Sequence, residues 1–295
     1  MKISTILFPL VMFMTTTMLM STTALAESKR DAEPKPDKVI SYKKIDGHDL
    51  KLHIFNPPGH KASDKSPAIV LFHGGGWKNG HPRTFYHQAK YLASRGMVAI
   101  CPEYRIGSKH GTTPKECVKD AKSAMRWVRS HAEQLGIDSN RLAAGGSSAG
   151  GHMAAATALV KGFDEPGEDT SVSCRPGLLV LYNPVFDNSK KGYGYDRVKD
   201  YWQAFSPMHN IDKTAPPTLV LLGTADRLVP VATAEEYKKR MGQAGVRCEL
   251  VLFKGVKHGA INRGSNHKKA TLAVDRFLTS SGYLKDKPTI KKKKK

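Results

Sequence analysis

Cysteine is scarce: four among 295 residues (Cys101, Cys117, Cys174 and Cys248). None falls in a C-x-x-C pair, which excludes a cysteine-rich zinc module, and four in so long a chain do not make a disulfide framework. Sequence leaves the three possible pairings open beside four free thiols. Acidic residues are also few, 26 against 47 Lys and Arg, for a net charge of +21. Removing Lys2 and the +6 of residues 285–295 (KDKPTIKKKKK) leaves +14 on residues 27–284. That excess is scattered and lacks any RNP-like, zinc-finger or helix-turn-helix signature, so nucleic acid is not the expected partner. No H-E-x-x-H, EF-hand loop, G-x-G-x-x-G fingerprint or P-loop occurs, and the twelve His form no ligand pattern, so neither a metal nor a cofactor is expected. There is no repeat of 20–50 residues, which argues against solenoids and propellers. With 40% hydrophobic and 25% charged residues, the composition is that of a globular chain.

The first apolar stretch is short and broken. Lys2 precedes Ile3–Leu10 and Val11–Met14, but Pro9 and Thr15–Thr17 interrupt the run before Ala24-Leu25-Ala26. A basic start, a brief apolar segment and small residues two apart predict a signal peptide over 1–26, cleaved after Ala26. A membrane anchor would need ~20 uninterrupted apolar residues, and a lipid-modified terminus would need a Cys that this stretch lacks. The expected location is secreted or periplasmic. Residues 27–38 read as a solvated leader and 285–295 as a disordered Lys-rich tail. Five adjacent Lys favour an extended conformation, with weak electrostatic contact to an anionic polymer or lipid as the sharper alternative.

Between them, 39–284 predicts one α/β domain. Val39–Ile45 and Leu50–Phe55 flank Asp46-Gly47 as a hairpin. Apolar runs at Ala68–Phe72, Met97–Cys101, Arg141–Gly145, Leu178–Tyr182, Thr218–Leu222 and Cys248–Phe253 read as buried strands. Helical patterns alternate with them over Thr84–Arg95, Lys115–Leu135, Val231–Gly242 and Asn266–Thr279. The sum is an eight-stranded, mostly parallel sheet with helices on both faces and no large cap domain. Residues 184–217 carry six aromatics without a clean period, and read either as a wall of the site or as a loop packed onto the sheet.

Two motifs carry chemistry. Gly146-Ser147-Ser148-Ala149-Gly150 follows a strand and precedes a small-residue helix, the setting in which G-x-S-x-G presents a nucleophile, here Ser148. Ser147 is the rival, but its frame would end on Ala149. His73-Gly74-Gly75-Gly76-Trp77 follows the strand 68–72, and its glycines leave backbone N–H groups free to approach a substrate oxygen. Together these motifs resemble the hormone-sensitive-lipase-like α/β-hydrolases, close to secreted bacterial carboxylesterases and carbohydrate (acetyl-xylan or feruloyl) esterases. Glu103-Tyr104-Arg105, Asp120-Ala121 and Asn183-Pro184 add to the resemblance, which spans about Val39–Leu284. It implies an oxyanion hole from Gly75, Gly76 and the N–H of Ala149.

In this fold the triad order is Ser, acid, His. Asp226 follows the strand 218–222 and His258 the strand 248–253, so these two are the expected acid and base. Asp187, Asp196 and Asp212 are read as solvated or capping acids; His209 and His267 lack a preceding strand end. His73 and His152 are read as braces, and His81 and His87 as unattached to any site. The implied activity is hydrolysis of carboxylic esters through an acyl-enzyme, on short-acyl or polysaccharide-linked esters. A serine peptidase of related fold and an inactive binding protein are the alternatives.

Overall fold

The computed structural model describes residues 33–286. The expected signal peptide and nearly all of the Lys-rich tail lie outside the described residues. Eight strands form one sheet: β1 (Lys38–Ile45), β2 (His48–Phe55), β3 (Ser66–Phe72), β4 (Val98–Pro102), β5 (Ile137–Ser147), β6 (Leu178–Tyr182), β7 (Thr218–Gly223) and β8 (Cys248–Phe253). Their spatial order is β1-β2-β4-β3-β5-β6-β7-β8. The β1–β2 and β2–β4 pairs are antiparallel and the rest parallel. The hairpin turns on Asp46 and Gly47, both with positive φ, as a two-residue loop between twisted strands requires. Asp37 belongs with the sheet rather than with a solvated leader: its N–H donates to Ile54 O and its carboxylate accepts from Asn56 N.

Helices cover both faces. On one lie α1 (Tyr86–Ser94), and later α8 (Gly264–Ser280); on the other α3 (Pro114–Ser130), α4 (Ala149–Leu159) and α7 (Val231–Gln243). Three one-turn helices, α2 (Gly107–His110), α5 (Tyr195–Val198) and α6 (Trp202–Phe205), sit in connections. The alternation of β3 divides the core, with Ala68, Val70 and Phe72 facing the α3/α4 side and Ile69 and Leu71 the α1/α8 side. Both halves are apolar because both faces are covered, which is why these strands read as continuous apolar runs. All eleven residues of α4 are buried, and its run of Gly and Ala lets it sit close against the sheet.

Two expectations need correction. The helix expected over 115–135 stops at Ser130, and the 3–4 spacing of Ala132 and Leu135 continues instead through turns ending at Gly136. Residues 184–217 contain α5, α6 and a short 3-10 segment, Pro207–Asn210, where a plain loop was expected. All four cysteines are free, three of them buried. No helix among the described residues is long and apolar enough to cross a membrane.

Candidate active site

Ser148 lies between β5 and α4 with φ 56° and ψ −120°. A side chain in that region is strained, and the neighbours enforce it. A Cβ at Gly146 would run into the backbone of Gly150, and one at Gly150 into the carbonyls of Phe72 and His73. The turn is therefore too tight for any residue but glycine two positions before and two positions after the serine.

Ser148 Oγ stands 2.8 Å from His258 Nε2, and His258 Nδ1 stands 2.7 Å from Asp226 Oδ2. The Asp226 side chain has no exposure, while His258 keeps 19%. Asp226 Oδ1 accepts the N–H groups of Leu228 and Val229, each at 2.9 Å. Burial pushes this carboxyl upward, but the hydrogen bond and charge of His258 and the two amides outweigh it, holding Asp226 below the usual carboxylate range. The loops carrying acid and base are stitched together: Thr224 N donates to Phe253 O, Ala225 N to Val256 O, and Gly255 N to Thr224 Oγ1. Ser147, the rival, is buried and its Oγ faces Asn183 Nδ2 at 3.4 Å.

The H-G-G-G loop runs directly over this turn. A Cβ at Gly74 would come 2.8 Å from Ser147 O and 3.3 Å from Ser148 Cβ. Gly75 and Gly76 take positive φ, 127° and 60°. Among the described residues, no protein acceptor takes the N–H of Gly75, Gly76 or Ala149. These amides remain available to an incoming oxygen, and Ala149 opens α4 with its positive end toward the site.

His73 fixes the loop from behind. Its Nδ1 lies 2.8 Å from Gly74 O, and its ring stacks on Tyr104, whose hydroxyl donates to His73 O at 2.8 Å. Burial pulls the His73 pKa down to about 4, so the ring is neutral at pH 7. His152, on α4, is pulled by burial to about 3, with Nε2 on Phe205 O at 3.1 Å and its ring packed against Phe205 and Trp77.

Residues 184–217 divide between the two roles considered for them. Phe186 and Phe205 are fully buried packing residues, Phe186 stacking on Tyr237. Arg197 instead reaches the oxyanion loop, its Nη1 donating to Gly76 O at 2.8 Å. The remaining rivals are structural. Asp187 and Asp212 accept the N–H two residues on, as turn formers, and Asp196 is exposed in the first turn of α5. His81 caps the 3-10 turn Pro82–Phe85, His209 contacts Ser206 Oγ, and His87 and His267 face each other at 6.2 Å. No group of three or more His, Cys, Asp or Glu among the described residues is placed to hold a metal.

Three residues at the site carry contacts that sequence reasoning did not assign. Tyr104 clamps His73, Arg197 holds Gly76, and Asn183 puts Nδ2 3.3 Å from His258 Nε2. Asn183 also has positive φ, 36°, a second non-glycine residue so held beside the triad turn.

Comparison with known proteins agrees with this architecture. A family profile described as alpha/beta hydrolase fold matches residues 69–262. Esterase 2 of Thermogutta terrifontis superposes with a TM-score of 0.81 at 43% identity, over 85% of this chain and 96% of that one. That enzyme has also been solved with propionate bound, with butyrate bound and phosphorylated by paraoxon. The ethyl acetate hydrolase of Pseudomonas putida is 28% identical over 261 residues, 79% of this chain and 78% of that protein. Esterase LipC of Mycobacterium tuberculosis is 27% identical over 196 residues, 60% of this chain but only 48% of LipC, so the match spans about half of that relative. The chain belongs to the alpha/beta hydrolase fold family, in its hormone-sensitive-lipase-like branch.

Proposed function

We propose that the protein is a serine carboxylic ester hydrolase acting on short-acyl esters. The observation that carries this reading is the continuous Ser148–His258–Asp226 relay lying against a glycine loop with free amides. His258 Nε2 takes the Ser148 proton as Oγ attacks the ester carbonyl, and Asp226 holds the tautomer and stabilises the imidazolium. The carbonyl oxygen, now anionic, receives the N–H groups of Gly75, Gly76 and Ala149, worth ~3 kcal/mol per donor in comparable sites. His258 returns the proton to the departing alcohol, and the acyl group stays on Ser148 until a water, deprotonated by His258, releases it as acid.

Preference for short acyl chains is supported by the propionate- and butyrate-bound forms of the T. terrifontis relative. Polysaccharide-linked acyl groups fit the same chemistry, since residues 184–217 are a compact insertion and not a cap domain. Export fits the composition of residues 1–26, with the enzyme acting in the periplasm or outside the cell. The test is a series of 4-nitrophenyl esters from acetate to decanoate, with paraoxon as a covalent probe. Hydrolysis should fall beyond butyrate, and mass spectrometry should place one diethylphosphoryl group on Ser148. Label elsewhere, or a preference for decanoate, would overturn the reading.

A further inference from the structure

A cavity of about 530 Å3 opens beside the oxyanion loop. Gly76, Trp77 and Lys78 form one side, and the turn before α3 together with Arg197 forms the other. Lys78 and Arg197 are the two charged side chains of this wall, and no carboxylate lines it. Arg95, Arg105 and Arg126, whose side chains are nearly buried, each pair with a carboxylate, of Asp275, Asp120 and Asp164. Arg197, an exposed side chain, donates to Gly76 O and leans on the Tyr193 ring, with no carboxylate partner among the described residues and most of its guanidinium donors unused.

Neutral donors point the same way. Trp77 Nε1 and Thr112 Oγ1 are buried atoms with no partner among the described residues, and both residues line this cavity. An unpaired buried N–H is costly unless something supplies an acceptor. Thr113 caps and Pro114 begins the 17-residue α3, both in the wall, and the N-terminal dipole of this helix favours an anion. The acid of that first turn, Glu116, is engaged in the cap, where the Thr113 N–H and hydroxyl donate to it.

Two cations, two orphaned donors and a helix N-terminus suit an oxygen-rich anion, and the shared Gly76 places it within reach of a bound ester. We propose that this cavity is a subsite for a carboxylate carried by the substrate, so that the preferred esters are those of acidic molecules: hemiesters of dicarboxylic acids or acetylated uronic-acid sugars. The inference rests on the ester hydrolase reading above. Arg197 then serves twice, bracing the Gly76 carbonyl and facing the substrate carboxylate. Binding of the acid half is thereby coupled to the loop that receives the oxyanion.

The experiment compares matched substrate pairs on the full chain. Monoethyl glutarate is set against its neutral amide, ethyl 4-carbamoylbutyrate, and acetylated galacturonic acid against acetylated galactose. The quantity read is the ratio of kcat/KM, acidic over neutral, by pH-stat. At low salt the ratio should exceed one for at least one pair and fall toward one in 0.5 M NaCl, where screening shortens the range of the field. Lys78→Glu should lower it about tenfold, and Lys78→Arg should retain it. Lys90→Glu, on exposed α1 surface, controls for the overall positive charge and should leave the ratio in place. A ratio of one or less in both pairs, or equal responses to Lys78→Glu and Lys90→Glu, would overturn the subsite. If no ester in either pair is hydrolysed, the hydrolase reading itself fails, and the two failures are thus distinguishable.

Discussion

Asp226 and Asp120 both have side chains without exposure, yet they are ringed by different partners. Asp226 meets two backbone amides and one imidazole. Asp120, on α3, meets the Arg105 N–H, the fork of the Arg105 guanidinium and the Lys43 ammonium. Glu165 extends that second cluster by accepting from both Arg105 and Lys43. The difference is in what the partners can do. A guanidinium keeps its charge at any physiological pH, so the Asp120 cluster is a fixed clamp between β1, α3 and the segment after β4. An imidazole can take the serine proton on one nitrogen while the other stays bound to the acid, so Asp226 is enclosed against a group whose charge changes during turnover. Equal burial says little about role; whether the partner can pass a proton says more.

The sharpest way to break this comparison is at the atom Asp226 acts upon through His258. Ser148→Ala should lower ester hydrolysis by ~10⁴-fold or more, while Ser147→Ala should keep most activity, measured as kcat on a soluble ester. The reverse outcome would exchange the two serines.

Next comes a pair of isosteric changes. Asp226→Asn should cost roughly 10³–10⁴ in turnover with a much smaller drop in melting temperature than Asp120→Asn. Asp120→Asn should act mainly on stability, leaving Arg105 and Lys43 without their counter-charge and costing ~3 kcal/mol, while turnover of the folded fraction survives. Calorimetry and kcat on the same samples decide. If both variants lost activity in proportion to stability, the distinction between clamp and relay would collapse.

A smaller effect is expected from pH. His73 and His152, held by burial to about 4 and about 3, stay neutral in the native state. Below about pH 6.5 the unfolded chain takes up protons that these sites refuse, so stability should fall as pH drops from 6.5 toward 4. Asp226, held low, stabilises above the unfolded carboxylate value of about 3.9, and that contribution is lost only as pH falls through its own depressed value. Melting temperature should therefore decline in two stages, histidines first. A flat profile between pH 6.5 and 4.5 would contradict the buried neutral histidines.

The smallest effect is expected at Tyr104. Tyr104→Phe removes the donor to His73 O and should cost ~1–3 kcal/mol in stability. A few-fold loss in kcat should accompany it, as the glycine loop loosens. Unchanged kcat would separate the tyrosine from the oxyanion loop.

How far these contacts could be read from the chain follows from their range. The strands were legible because both faces are covered, so apolar runs have nothing polar to interrupt them. Ser148 and the glycine loop were legible because each motif is local, a strand end and the few residues after it. Asp226 and His258 required the order imposed by the fold as well as the motif. The end of α3 was overshot because the turn through Ala132 and Leu135 keeps burying apolar residues at helical spacing. Arg197 and Tyr104 were opaque for a different reason. Their partners, Gly76 and His73, lie 121 and 31 residues away, and no local pattern announces a side chain donating to a distant carbonyl.

The central strand β5 has one further consequence. In the hairpin strand β1 a slip of one residue would be costly because it exchanges inside for outside, but β5 from Leu142 onward, like β3, β4, β6 and β7, is buried on both faces and has no such polarity to consult. Its register is held by volume. Ser147 pairs with Tyr182, and the strand reaches that pairing through Gly145 and Gly146, where a Cβ would meet Val180 O or the Gly150 backbone. A one-step slip would push larger neighbours into those places and present the wrong one of two adjacent serines. The identity of the attacking oxygen is thus encoded two positions upstream of it, as an absence of side chain, and any effort to move or duplicate the nucleophile has to rewrite that spacing before it touches a serine.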